Sequence, residues 1–246
     1  MVAQSLSARL PALSIAIVLG AGVIGLDLLC QSMGAHAAEK ATQIPPPALD
    51  QMAAADGKLA TAVVAGGCFW GVQAVFQHVE GVTNAVSGYA GGESPDPTYP
   101  EVSAGVTGHA EVVEITYDPS TISYGKVLQI FFSVAHDPTQ LNRQGPDVGT
   151  QYRSAVYFTD EEQAKVAKAY VDQLNQAAVF PAPIVTELAD LDVFHPAEDY
   201  HQDYAFHHPN QAYIVWNDLP KVENLRTMFP DVWRDEPKLV GVSGNS

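Results

Sequence analysis

One cysteine of the chain, Cys68, lies in the stretch "GGCFWG", with glycines before it and two large aromatic residues after it. Only the thiolate form of cysteine is a strong nucleophile, and the partial positive charge at the start of a helix favours that form. Small neighbouring residues leave the sulfur open to a substrate. The stretch therefore predicts a reactive thiol with a lowered pKa, and inert packing of a small buried thiol is the alternative.

A second group that could do chemistry is Glu111, in the alternating stretch "HAEVVEITYD". Alternate residues of a strand share a face, so Glu111 lies on the side of Val113 and Ile115, and Glu114 lies on the other side. Burial without a cation raises the pKa of a carboxyl group, which then keeps a proton near neutral pH. We expect Glu111 to be a buried proton donor and Glu114 a solvated surface charge; the alternative for Glu111 is a strand end that emerges into water.

The elements that would position these groups follow from the spacing of apolar residues. "TAVVAGG" predicts a short buried strand, and apolar residues three and four apart after Phe69 predict a helix, which places Cys68 at a strand-to-helix turn. Further elements are strands at "VTNAVSGYAGG", "HAEVVEITYD" and "SAVYF", a helix capped by Ser123 that stops before Pro138, a helix from a capping box at Thr159–Glu162 to about Gln176, and an edge strand at Ile184–Leu188. The order predicts an α+β fold, a two-layer sandwich with a mixed sheet of the split βαβ (ferredoxin-like) type and a long irregular C-terminal segment.

The first part of the chain reads as an export signal followed by a linker. Arg9 precedes an apolar run over residues 12–26, and Ala35 and Ala37 form a small-x-small cleavage pattern. We expect a signal peptide at 1–37, a flexible linker at 38–57 and a catalytic domain at 58–246, in an exported, periplasmic protein. An uncleaved signal that anchors the chain in the membrane and a lipidated Cys30 are the alternatives; cleavage leaves Cys68 as the only cysteine and allows no internal disulfide.

The overall charge excludes some partners. The sequence has 12 Lys and Arg against 28 Asp and Glu, a formal charge of -16. Nucleic acid phosphates and anionic lipids would be repelled by such a protein. We therefore expect no nucleic acid partner, and no stable membrane insertion once the signal is cleaved.

Five motifs in order resemble the peptide methionine sulfoxide reductase A family: "GGCFWG", "GYAGG", "TYPEVSAGVTGHAEVVEITYDP", "FFSVAHDPTQLNRQGPDVGTQYRS" and "FHPAEDYHQDY", between about residues 62 and 216. The resemblance implies that Cys68 is the nucleophile and Glu111 the proton donor. It further implies that the hydroxyl groups of Tyr99 and Tyr152 bind the sulfoxide oxygen, with Asp147 beside them. The substrate-binding residues that it implies are Phe69, Trp70, Gly67 and Glu198, with the two aromatic rings as walls around the methyl group of the sulfoxide.

The resemblance also implies a reaction and its partners. Methionine S-sulfoxide, free or in proteins and peptides, is reduced to methionine, and sulfenic acid is left on Cys68. No metal or organic cofactor is expected. Many family members carry resolving cysteines near the carboxyl end, whereas no cysteine follows Cys68 in this sequence. We therefore predict a single-cysteine cycle with an external thiol reductant, such as a thioredoxin-like protein, a glutaredoxin or glutathione.

Two other functions compete with this interpretation. A thiol peroxidase would also use an activated cysteine, but would not need the pocket of Phe69 and Trp70. An exported binding module could use the histidines of "HPAEDYHQDYAFHH" to hold a metal. The spacing of those histidines fits no zinc signature, and the resemblance instead makes this segment a wall of the active site.

Overall fold

The computed structural model describes residues 40–51 and 57–240, whose main sheet has six strands. The strands of the chain are β1 (Ala60–Gly66), β2 (Val82–Ala90), β3 (Ala110–Tyr117), β4 (Arg143–Gln144), β5 (Asp147–Val148), β6 (Ser154–Phe158), β7 (Glu187–Asp190) and β8 (His195–Pro196). The main sheet has the order β7-β6-β1-β3-β2-β8, and β4 and β5 form a separate hairpin. All neighbours in the main sheet are antiparallel except the β6–β7 pair, so the sheet is mixed.

Six α-helices accompany these strands among the described residues. They are α1 (Phe69–Gln77), α2 (Tyr99–Ser103), α3 (Tyr124–Ile130), α4 (Glu161–Gln176), α5 (Tyr204–His207) and α6 (Leu219–Met228). A π-helical turn at Phe131–Ala135 extends α3, and another at Ile214–Asp218 leads into α6. Helix α1 joins β1 to β2 while β3 lies between those two strands, which is the split βαβ arrangement. The predicted fold class is confirmed.

The sheet separates a large core from a small one. The large core contains α1 and the inner face of β3, including Val113 and Ile115. Val112, on the opposite face of β3, belongs to a smaller cluster with Val63 and Tyr157. The alternation inferred for β3 is therefore confirmed, and it places Glu111 on the side of the large core.

Two element boundaries differ from the prediction. Asp160, not Thr159, caps α4, because its carboxylate accepts from the backbone N–H of Gln163 at 2.8 Å. The Gln163 side chain in turn accepts from the N–H of Thr159, so the predicted capping box is wrong by one residue. The edge strand β7 begins at Glu187 rather than at Ile184, whose N–H bonds instead to Asn175 at the end of α4.

Residues 40–51, which we call the N-terminal strap, lie against the domain instead of forming the exposed tether expected for 38–57. Thr42 exchanges hydrogen bonds with Ser133, its N–H donating to the carbonyl and its carbonyl accepting from the hydroxyl. Ile44 is buried in the large core. The hydroxyl group of Tyr170 in α4 donates to the carbonyl of Pro45 at 2.7 Å. The strap is thus part of the folded unit.

The predicted signal peptide at 1–37 lies outside the residues that the structure describes. Among residues 40–51 and 57–240, no helix combines the length and the apolar composition needed to cross a bilayer.

Candidate active site

The turn between β1 and α1 places Cys68 at the N-cap of the helix, as predicted. Gly67 has a φ of +85°, a conformation that glycine adopts without strain. A Cβ atom at Gly67 would overlap the side chain of Gln144 from the β4–β5 hairpin. Gly67 is therefore required by the turn and by close packing beneath the site. Cys68 itself is buried, with 8% of its surface exposed.

The expectation of a lowered pKa at Cys68 is wrong. Burial raises the pKa of the thiol well above its ordinary value, and the nearby carboxyl groups of Glu111, Asp218 and Asp147 raise it further. The backbone N–H of Trp70, in the first turn of α1, acts in the opposite direction. The helix start thus favours the thiolate, but desolvation and neighbouring acids outweigh it, and the sulfur keeps its proton near neutral pH.

Glu111 is the buried acid that the strand pattern indicated. It is 2% exposed, and its Oε2 accepts a hydrogen bond of 3.0 Å from the N–H of Phe69. Burial raises the pKa of Glu111 to about 8, and the negative charges of Asp147 and Asp218 contribute to the rise. The N–H of Phe69 opposes it. The carboxyl group therefore carries a proton at neutral pH and is able to donate it.

Aromatic rings pack together around the two residues that follow Cys68. Phe69 is almost fully buried, and its ring centroid lies 6.4 Å from that of Trp70. Trp70 stacks on Tyr204 at 3.8 Å and donates its indole N–H to Nδ1 of His201 at 3.2 Å. Tyr213 meets Trp70 edge to face. The segment "FHPAEDYHQDY" thus supplies part of this wall, whereas Tyr213 lies outside every motif that was singled out.

Two phenol groups lie within electrostatic range of the thiol and the acid. Tyr99 begins α2, and Tyr152 ends the short helical turn Thr150–Tyr152. Burial raises the pKa of both hydroxyl groups, and charge on Glu111 or Cys68 would raise it further. Both therefore remain hydrogen-bond donors throughout the physiological pH range. The structure brings together the hydroxyl groups that the resemblance selected.

The two remaining carboxylates are engaged with protein groups. Asp147, in the β4–β5 hairpin, accepts a hydrogen bond from the hydroxyl group of Tyr213. Glu198 accepts from the N–H of Tyr99 at 2.9 Å and from the hydroxyl group of Tyr89 at 2.8 Å. Burial acts to raise the pKa of Glu198, but these hydrogen bonds outweigh it and lower the pKa. Glu198 therefore holds the backbone of Tyr99 in place.

A further acid, Asp218, has no counterpart in the sequence analysis. It is 0% exposed, and burial raises its pKa to about 7, although the charge of Lys221 opposes the rise. It lies at the end of a π-helical turn, in a stretch "NDLPK" with no periodicity that would mark the aspartate as buried. Sequence reasoning therefore gave no signal for it.

Comparison with known proteins gives a consistent result. The family model for peptide methionine sulfoxide reductase matches residues 60–232. Peptide methionine sulfoxide reductase MsrA 2 of Mesorhizobium japonicum is 57% identical over 185 residues, which cover 75% of this chain and 95% of the relative. The protein of the same name from a Synechocystis species is 52% identical over 170 residues, covering 69% of this chain and 79% of the relative.

Solved structures agree with this result. Methionine sulfoxide reductase A of Corynebacterium diphtheriae is 34% identical with a TM-score of 0.54, covering 70% of this chain and 88% of that one. Reduced Mxr1 of Saccharomyces cerevisiae is 32% identical with a TM-score of 0.56, covering 63% of this chain and 88% of that one. Fold, site and comparisons define an α+β oxidoreductase that acts on sulfur.

More specifically, the chain belongs to the peptide methionine sulfoxide reductase A family. Its activity is that of a peptide-methionine (S)-S-oxide reductase, the thiol-dependent reduction of methionine S-sulfoxide to methionine. The competing peroxidase and metal-binding interpretations do not describe this family.

Proposed function

We propose that Cys68 attacks the sulfur of methionine S-sulfoxide while Glu111 protonates the sulfoxide oxygen. The observation that carries this proposal is the meeting of both groups at the first turn of α1. Cys68 is the N-cap of that helix, and Glu111 accepts the N–H of Phe69, the next residue, at 3.0 Å. Both groups therefore lie at the start of the same helix, close enough for the charge of Glu111 to act on the Cys68 thiol.

The raised pKa of the Cys68 thiol is compatible with this chemistry if the thiol loses its proton only when substrate is bound. Transfer of the Glu111 proton to the sulfoxide oxygen places positive charge on the substrate. A cation next to a thiol favours the thiolate, which is then formed in contact with its target. In the absence of substrate the sulfur remains protonated, which protects it from other oxidants.

The other residues hold the substrate in place. The phenol groups of Tyr99 and Tyr152 donate hydrogen bonds to the sulfoxide oxygen, where negative charge is concentrated. Phe69 and Trp70 contact the methyl group, and the ring of Trp70 is itself fixed by its stacking on Tyr204. Asp147 orients Tyr213 at the edge of the same wall.

The first half of the reaction is balanced without a cofactor. Cys68–SH and the sulfoxide give Cys68–SOH and the thioether, so that the substrate sulfur gains two electrons and the Cys68 sulfur loses two. The oxygen atom passes from one sulfur to the other, and the proton lent by Glu111 is returned when the thiol proton is released.

Regeneration of Cys68 relies on an external thiol in this proposal, because no cysteine follows it in the sequence. A first thiol attacks Cys68–SOH to give a mixed disulfide and water, and a second thiol releases Cys68–SH and an external disulfide. Thioredoxin-like proteins, glutaredoxins and glutathione are the candidate donors. Incubation with sulfoxide and limiting glutathione should give a mixed disulfide on Cys68 by mass spectrometry. An intramolecular disulfide with Cys30 during turnover would contradict the single-cysteine cycle.

The test of the catalytic assignment offers each sulfoxide epimer to the enzyme with each class of reductant. We expect turnover of the S epimer alone, abolition of that turnover in Cys68→Ser, and full activity in the matched variant Cys30→Ser. Rapid reaction of the wild-type thiol with hydrogen peroxide but not with methionine sulfoxide would contradict the assignment. Turnover by Cys68→Ser would also contradict it.

The proposal includes export to the periplasm, supported by Arg9, the apolar run over 12–26 and the pattern that ends at Ala37. The substrate would then be oxidised protein in that compartment. Intact mass measurement of the protein recovered from a periplasmic extract tests this: a mature chain that starts at Ala38 is expected, and retention of the full-length chain in the membrane would contradict it.

A further inference from the structure

The site contains one buried acid that the mechanism above does not use. Asp218 is 0% exposed. Within residues 40–51 and 57–240, neither of its carboxyl oxygens has a hydrogen-bond partner. A buried carboxylate without partners is costly, whereas a neutral carboxylic acid is tolerated at much lower cost. The environment of Asp218 therefore favours its protonated form.

The carboxyl group of Asp218 lies directly against the helix that carries the thiol. A Cβ atom built at Gly71 would overlap Oδ1 of Asp218, so that only glycine fits at this position. Gly71 is in the first turn of α1, three residues after Cys68. Asp218, the N-cap residue of α6, and Glu111 of β3 thus both reach the N-terminal turn of α1.

Five charged or titratable groups lie around Asp218. They are Cys68 at the start of α1, Glu111 in β3, Asp147 in β5, and Tyr213 and Lys221 on either side of Asp218. Negative charge on Asp218 disfavours ionisation of both Cys68 and Glu111. The buried Lys221 is the one cation among these neighbours, and it favours ionisation of Asp218.

We propose that Asp218 is a positioning residue that acts through Cys68. While Asp218 is protonated, it adds no charge that opposes formation of the Cys68 thiolate. When Asp218 is ionised, its negative charge suppresses formation of that thiolate. The inference rests on the proposed role of Cys68. Asp218 touches no reacting atom in this scheme. As the pH rises, ionisation of Asp218 counteracts the formation of the Cys68 thiolate. The reactivity of the thiol therefore increases less steeply with pH than that of an isolated cysteine.

The experiment reads Cys68 directly, through its rate of alkylation by iodoacetamide between pH 5.5 and 9. Parent and variants carry Glu111→Gln, so that ionisation of Glu111 does not affect the profile, and Cys30→Ser, so that one thiol reacts. For a single thiol, the logarithm of the rate rises with unit slope below its pKa. We expect the parent to bend to a lower slope near pH 7, where Asp218 ionises.

Asp218→Asn should remove this bend. It should match the parent below pH 6 and react about tenfold faster near pH 9, since a neighbouring charge shifts a pKa by about one unit or more. Asp203→Asn is the matched control, because Asp203 is a buried acid that bonds Gln77 at the far end of α1. It should keep the bend. Lys221→Met provides a second variant if Asp218→Asn does not fold, and should move the bend to higher pH.

An unchanged bend in Asp218→Asn or in Lys221→Met, or a parent profile without a bend, would overturn the inference. A purely structural role for Asp218 would change the alkylation rate equally at all pH values, which would also overturn it. These results do not depend on turnover. Failure of the catalytic assignment appears instead as residual turnover in Cys68→Ser, so the two failures are distinguishable.

Discussion

The side chain of Glu111 combines almost complete burial with a single hydrogen bond from a backbone N–H. Replacing it with glutamine keeps the shape and removes the transferable proton. We expect Glu111→Gln to lower kcat by about 10²-fold, the usual contribution of general acid catalysis, with a smaller effect on KM. Steady-state kinetics with the S epimer measure this, and Glu114→Gln, on the opposite face of β3, is the matched control.

The pH profile gives an independent check on the same residue. The proposed mechanism requires a protonated Glu111, whose pKa is raised to about 8, so wild-type turnover should fall as the pH rises through about 8. Glu111→Gln should lack this falling limb. Persistence of the limb in the variant would assign it to another group, and an unchanged kcat would remove Glu111 from the mechanism.

Residue-level chemistry was only partly predictable from the sequence. The alternation in β3 was enough to place Glu111 on the inner face, because a strand has a fixed period of two. The pKa of Cys68 was predicted in the wrong direction, because burial of the thiol outweighs the effect of the helix start and because the acidic groups of Glu111, Asp218 and Asp147 come from other segments of the chain. Only tertiary structure reveals that these charges converge on the helix start.

At the scale of elements, the strap is the feature with the most direct test. The carboxylate of Asp50 accepts from the N–H of Gly125 at 2.7 Å and from the hydroxyl group of Ser123 at 2.6 Å, so that it helps to cap α3. Asp50→Ala should lower the free energy of unfolding by about 1–2 kcal/mol, as loss of a helix cap does. Urea denaturation measures the change, and the exposed Asp192→Ala should leave stability unchanged.

Equal stability of Asp50→Ala and wild type would show that the strap does not contribute through this cap. The prolines of the strap lack an N–H and break regular elements, so its sequence predicts neither a helix nor a strand. Their carbonyl groups still accept hydrogen bonds, and Pro45 and Pro46 accept from Tyr170 and Gln173 of α4. Strands and long helices were predictable from periodicity, whereas a docked irregular segment has no period to detect.

At the scale of the whole molecule, the acidic residues include two that are buried at the candidate site. The formal charge is -16, yet Glu111 and Asp218 are buried, and burial raises the pKa of each. An ionised carboxyl group in the interior is unfavourable, so neither of these two groups is expected to stabilise the fold as a carboxylate. A cost in stability is therefore expected where the unfolded chain ionises and the folded chain does not.

This cost has a defined sign and range of pH. Unfolded Glu111 and Asp218 lose their protons near pH 4, whereas the folded protein holds them to about pH 8 and about pH 7. Between these limits the unfolded state binds fewer protons, so the free energy of unfolding falls as the pH rises. Buried His136, whose pKa is lowered to about 3 by burial, has the opposite effect up to about pH 6.5.

Other groups with shifted pKa values are shared by the wild-type protein and a variant that lacks both acids, so the difference between their slopes from pH 6.5 to 8 isolates Glu111 and Asp218. We expect the free energy of unfolding of the wild-type protein to fall over this range, and the double variant Glu111→Gln, Asp218→Asn to lose less stability over the same range. Urea denaturation at pH 6.5, 7.25 and 8 measures both slopes. Parallel slopes would contradict this expectation, because they would mean that the two carboxyl groups ionise alike in the folded and unfolded states despite their burial at the first turn of α1.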